Sequence, residues 1–246
     1  MLFGNPAAGN AARRKKILAI AAPVLAAGVL LAILLTAVLT PEDRYRKALS
    51  RAEVGDTVVF GSYEQDNDPS GEEGVEWLVL AKEDGRMLLI SRYALDCRKY
   101  HDALADVTWE TCSLRAWLNG TFFSSAFSAE EQELVAAARV PADPNPSYGA
   151  PAGNDTTDRV FLLSIAEADR YFASDGARMC EGTEYCRAHG AYRAANGNSL
   201  WRLRSPGNGS DFSAGVDENG SVYPGGYLVD YYRLAVRPAM WIDLGS

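Results

Sequence analysis

The stretch VEWLVLAKEDGRMLLISRYAL, residues 75–95, decides the fold. Two apolar runs flank Glu83-Asp84-Gly85, and Asp-Gly is a dipeptide that tolerates the left-handed backbone of a tight hairpin turn. The pattern predicts two antiparallel strands. Just upstream, VGDTVVFGSYEQ (54–65) adds a strand over 58–60 after a turn at Gly55-Asp56. DNDPSGEEG (66–74), built from turn formers and acids, reads as an exposed loop between them.

Helices come next. TCSLRAWLNGTFF (111–123) sets Leu114, Trp117 and Leu118 on one helical stripe, and Asn119-Gly120 is expected to stop that helix. SAEEQELV (128–135) starts another, with Ser128 and Glu131 spaced as a capping box. Residues 141–157, PADPNPSYGAPAGNDTT, form a long irregular loop, a mobile surface or one rim of a binding site. DRVFLLS (158–164) is a strand, and Ser164 with Glu167 caps a helix running to about Phe172.

The chain closes with LWRLRS, SAGVD, GSVYP and AVRPAMWIDL, four strand-like stretches with an Asn219-Gly220 hairpin between the second and third. Strands at both ends with two or three short helices between them predict an α+β domain. Its sheet is mostly antiparallel, and its loops are long.

The region before this domain has a different character. Residues 17–39 are continuously apolar apart from small residues and Pro23, long enough to cross a bilayer as a helix. Arg13, Arg14, Lys15 and Lys16 precede the run, so the positive-inside tendency keeps residues 1–16 in the cytoplasm and exports the chain from residue 40 onward. The run exceeds the apolar core of a cleaved signal peptide, and no small-x-small site closes it. Residues 40–53 read as a charged stalk and 54–246 as the exported domain.

Of 24 basic residues, four lie before the run, which leaves 20 against 32 acids, a net of −12 for the remainder. That field excludes nucleic acid as the main partner.

All four cysteines, Cys97, Cys112, Cys180 and Cys186, fall in the exported part. Two disulfides are compatible with that count, with Cys97–Cys112 and Cys180–Cys186 the sequential pairing among three. Free thiols are the other reading. Zinc wants tight cysteine or histidine pairs, and Cys186 with His189 has no matching second pair.

No catalytic constellation assembles around His101 or His189, and the paired carboxylates Glu72/Glu73 and Glu130/Glu131 are explained by a loop and a helix start. Trp77, Trp109, Trp117, Trp201 and Trp241 sit in apolar patterns and belong to the core.

The tract PGNGSDFSAGVDENGSVYPGGYLVDYY (206–232) is different, mixing aromatic with small polar residues. Asn208, Asp211, Phe212, Asp217, Tyr223, Tyr227 and Tyr231 are the candidate ligand-binding residues, because tyrosine gives adaptable contact area at low ordering cost. Ordinary hairpin decoration is the plain alternative, and calcium on the oxygens around DENG is a minor one. Just upstream, SLWRLRSPG (199–207) alternates so that Trp201 and Leu203 face the core while Arg202 and Arg204 face away. There the two arginines form a structural clasp, one of them gripping a carboxylate.

VTWETCSLRAWLNGTFFSSAFSAEEQ, DRVFLLSIAEADRYF, WRLRSPG and VRPAMWIDL, in this order, resemble a bacterial family of exported or membrane-linked domains of unknown function, over roughly residues 54–244. The ending is also similar to C-type-lectin-like folds, among them formylglycine-generating-type domains and ligand-binding proteins diversified by retroelements. That likeness implies a compact α+β scaffold displaying loops. Formylglycine-generating oxidases hold copper on a late pair of cysteines, and no cysteine comes after Cys186 here, so that activity does not carry over.

The combined expectation is a single-pass bacterial membrane protein with its C-terminal domain outside. It would bind a glycan, wall component or protein through its late loops, with no catalytic residue and no cofactor. The alternative is a divergent extracytoplasmic oxidoreductase or hydrolase.

Overall fold

The structure is a computed structural model that describes residues 40–245 of the chain. The expected cytoplasmic tail and the apolar run at 17–39 lie outside the described residues. Among the described residues no helix is long and apolar enough to cross a membrane. The chain divides into two compact units, Met1–Arg44 and Tyr45–Ser246. In the first, Thr40 and Asp43 exchange N-terminal capping hydrogen bonds at the start of helix α1, Pro41–Leu49.

The second unit is α+β with mostly antiparallel sheets. The part of the expected stalk that belongs to it does not stand clear of the domain. Leu49 is buried, Tyr45 meets Phe60 edge-on at 6.2 Å, and Arg46 pairs with Asp243 at 3.3 Å. The amphipathic spacing of Tyr45 and Leu49, four residues apart, sets both on one face of α1 and accounts for this docking.

Strands β1 (Thr57–Tyr63), β2 (Glu73–Glu83) and β3 (Arg86–Ser91) form the expected meander. Its second turn has Asp84 and Gly85 at φ 50° and 71°, the left-handed pair that keeps two twisted strands in register. β3 lies between β2 and the C-terminal strand and buries both faces, so Met87 to Ser91 are all sequestered. Trp77 donates its indole N–H to the Phe60 carbonyl at 2.7 Å, which satisfies the single polar atom of this fully buried side chain.

The two remaining strands of this sheet are β7 (Val160–Phe161) and β12 (Ala239–Asp243), giving the order β1-β2-β3-β12-β7. A second five-stranded sheet runs β10-β9-β8-β11-β4. Its strands are β4 (Asp96–Cys97), β8 (Trp201–Pro206), β9 (Phe212–Val216), β10 (Val222–Leu228) and β11 (Ala235–Val236). Its β8–β11 contact is parallel. A small pair, β5 (Ala138–Val140) with β6 (Thr156–Asp158), closes the base of the 141–155 loop.

Helices are more numerous than the sequence suggests, though all are short. Ser113–Trp117 (α2) does not stop at Asn119-Gly120. It passes through a π-helical turn, Leu118–Phe122, into α3, Phe123–Ala126. The reason is tertiary: the Asn119 side chain donates to the carbonyls of Arg115 and Val160 and accepts from the amides of Arg159 and Val160. An amide that would favour a helix end is held by β7 instead, and the extra residue is absorbed as a π-bulge.

Both predicted capping boxes form, at Ser128/Glu131 on α4 (Ala129–Gln132) and Ser164/Glu167 on α5 (Ile165–Tyr171). Two further short helices, α6 (Asp175–Arg178) and α7 (Glu184–Ala188), lie between α5 and β8.

Candidate binding surface

The late tract folds as a hairpin of β9 and β10 leading into the segment 229–234. At its tip the Asp217 carboxylate accepts the amides of Asn219 and Ser221, and Gly220 takes φ 83°. One oxygen of Asp217 is thus committed to the turn, the role hairpin chemistry assigns it. A cluster of three carboxylates lies elsewhere. Glu64, Asp66 and Glu73 place ligand oxygens within 4.8 Å of one another, and each accepts backbone N–H groups of its own loop.

Between Tyr223 and Tyr227 the β9–β10 register jumps, because Pro224, Gly225 and Gly226 loop out, Gly226 with φ 73°. The bulge brings the two rings to 5.3 Å. Tyr227 then stacks on Tyr231 at 6.0 Å with planes 12° apart, and Tyr231 meets Tyr232 at 5.9 Å. Four tyrosines therefore form one continuous row, with Tyr223 and Tyr232 at 48% and 60% exposure and the middle two half-buried. The Tyr227 ring rests against Gly215, where an added Cβ would come within 3.2 Å of it.

Burial and neighbouring Asp217 and Tyr223 push the Tyr227 phenol up to about 12, so it remains a hydrogen-bond donor across the physiological range. Asn208 is exposed, and Asp211, Phe212 and Asp217 are half-buried on the same hairpin.

Asn145, which the sequence places in an anonymous loop, pins this region. Its buried amide donates to the carbonyls of Pro206 and Pro224 at 2.8 and 2.7 Å. Tyr232 is likewise absent from the expected set. The clue to Asn145 lies in the PGGY run, which demands an anchor for its looped-out backbone.

The two arginines of SLWRLRSPG are not on a solvent face. Every residue of β8 is buried, because the strand is central in its sheet and covered on both sides. Arg204 is the clasp. Its guanidinium holds both oxygens of Glu167, reaches Asp143 at 3.2 Å, and donates to the Leu162 and Pro141 carbonyls.

Arg202 has no carboxylate within ion-pair distance among the described residues. Instead it donates to Ser213 Oγ at 2.6 Å and to the carbonyls of Leu228 and Tyr231. Its Nε lacks a partner, and burial lowers its pKa to about 10, leaving it charged at neutral pH. This cation braces the backbone that carries the tyrosine row.

The sequential disulfides do not form. All four cysteines are free and buried, and each thiol lies against a backbone carbonyl: Cys97 on Tyr232, Cys112 on Trp109, Cys180 on Glu181 and Cys186 on Asp96. Cys97 sits on β4, while Cys112 caps α2. His189 rests on Tyr185, with ring centroids 4.0 Å apart, and Cys186 points to β4, so these two form no metal pair.

Burial raises all four thiol pKa values, those of Cys97 and Cys112 to about 12. The thiols are thus held protonated and unreactive. At pH 8 the native chain should react with no iodoacetamide over an hour, and the urea-unfolded chain with four equivalents. Above an ordinary thiol value of 9.0 the unfolded chain releases protons that the folded one keeps. Stability should therefore fall as pH rises from 9 towards 12, with Arg202 opposing this only above about 10. Urea midpoints at pH 7 and 9.5 check the sign.

No curated protein and no solved structure matches the chain. A family match covers residues 84–244, beginning at the turn between β2 and β3, so β1 and β2 precede it although they complete the same sheet. With that match spanning most of its length, the chain belongs to the family described as a domain of unknown function, DUF6273.

Proposed function

We propose that this chain is a membrane-anchored, extracytoplasmic binding domain that takes a cell-surface or wall ligand on its tyrosine row, with a glycan favoured. The carrying observation is that Tyr223, Tyr227, Tyr231 and Tyr232 form one accessible aromatic strip on a braced hairpin. Monomeric domains bury most of their large aromatics, and an exposed, preorganised row is the kind of surface that loses little ordering entropy on binding. A row of aromatic rings with exposed tyrosines at both ends suits the apolar face of a sugar. The basic cluster and apolar run at 13–39 support the anchor and its orientation. In this reading the scaffold is lectin-like, with fixed strands displaying a late loop.

Replacing Tyr223, Tyr227 and Tyr231 together with serine should weaken retention on insoluble cell-wall polysaccharide at least about 30-fold, the loss expected from one hot-spot residue of about 2 kcal/mol. Thermal unfolding should stay cooperative. Unchanged retention by the folded variant would reject the assignment.

A further inference from the structure

A second site shares no residue with the tyrosine row. A cleft of about 450 Å³ is lined by Leu78, Tyr93, Ala177, Met179, Glu181 and Arg237, among others. That volume lies in the ordinary range for small-molecule sites. Arg237 is 2% exposed. It donates from Nε to the Ser91 carbonyl at 2.9 Å and from Nη1 to the Arg178 carbonyl at 3.2 Å, between the rings of Trp201 and Phe172 at 5.1 and 5.4 Å.

Among the described residues no carboxylate pairs with it, whereas buried Arg178 has Asp169 and Asp175, and Arg204 has Asp143 and Glu167. Its Nη2 makes no hydrogen bond among the described residues. Burying a charge without a counter-charge costs several kcal/mol, so such a group is normally compensated. Arginine cannot escape by losing its proton at neutral pH.

The other charges of the cleft define what compensates it. Arg92 is occupied by Glu76 at 2.6 Å. Glu181 is exposed and makes no ion pair among the described residues. The cleft therefore offers one buried free cation and one free carboxylate, with Leu78, Tyr93 and Met179 supplying apolar wall.

We infer that this cleft binds a zwitterionic organic carboxylate, an amino acid or the end of a short peptide, with its carboxylate on Arg237 Nη2 and its ammonium towards Glu181. A phosphate fits less well, because the Glu181 carboxylate repels its second negative charge.

The test is calorimetric titration of the full-length protein in detergent with dialanine, acetate and inorganic phosphate. Dialanine should bind saturably, at least tenfold more tightly than acetate or phosphate. Glu181→Gln, at an exposed position, should cut dialanine affinity about tenfold and leave acetate unchanged. Ala177→Trp, which fills the cleft from an exposed residue, should abolish dialanine binding with the melting transition retained. The Tyr223/Tyr227/Tyr231 serine variant should bind dialanine as the parent does, which separates this site from the tyrosine row. Absence of saturable dialanine binding, equal affinity in Glu181→Gln, or tighter binding of phosphate would overturn the inference.

Discussion

Replacing Arg204 with alanine should destabilise the domain by about 3–5 kcal/mol, the cost of breaking a buried ion pair from one side. The size reflects the groups left behind. Glu167 and Asp143 both lose their cation, and the Leu162 and Pro141 carbonyls lose a donor. Glu167 also caps α5 through the Ser164 amide, and Ser164 Oγ donates to Asp143 at 2.7 Å. One guanidinium thus ties β8, the 141–155 loop and α5 together. Lysine should recover only part of the loss, because a point charge cannot serve two carboxylates and two carbonyls in one planar fork. Urea denaturation of both variants measures this, and equal stability of the lysine variant and the parent would show that charge alone suffices. Arg202→Lys makes the informative contrast. It should disturb ligand retention more than stability, since Arg202 braces the backbone of Leu228 and Tyr231 rather than pairing with an acid.

Gly220→Ala should cost about 2–5 kcal/mol, the sum of forcing a side chain into left-handed backbone and of overpacking. Gly220 has φ 83°, and a Cβ there would overlap the carbonyl of Asp175 at the start of α6. The same glycine offers its own carbonyl to Arg178 Nε at 2.8 Å, and neighbouring Ser221 donates to Asp175 at 2.7 Å. The hairpin tip and α6 are therefore closely apposed, and the backbone of one must move. Gly55 is the control: its φ is 95° but an added Cβ meets nothing within 4 Å, so Gly55→Ala should cost only about 1 kcal/mol. Thermal or urea unfolding of the two variants should separate strain from collision. Equal losses would remove the collision from the account.

Much of the frame was legible because it rests on neighbouring residues. Asp84, Gly85 and Gly220 take the left-handed backbone that tight turns demand, and the structure turns there. Ser128 with Glu131 and Ser164 with Glu167 satisfy free helix amides within one turn, and both boxes form. Asn119-Gly120 looked equally local, yet Val160, 41 residues away, captured the Asn119 side chain and the helix continued. The tyrosines of the late tract were visible as residues. That they align as a row depended on the Pro224-Gly225-Gly226 bulge and on Asn145, 79 residues from the carbonyl of Pro224 that it holds.

The arginines show the same division most clearly. Alternation along β8 separates Trp201 and Leu203 from Arg202 and Arg204, but period-two spacing says nothing about what covers the second face. Only the assembled sheets bury both. Only they give Arg204 its acids from residues 143 and 167, leave Arg202 with carbonyls, and hold Arg237 by Ser91, 146 residues distant, with no acid among the described residues. The sequence by itself determined the turns, the caps, the α+β order and the charge balance, because each is settled by adjacent side chains and the backbone they share. The tertiary structure alone decided which cations are neutralised, which thiols stay apart and which rings meet. Those outcomes depend on partners that the chain brings together only when it folds.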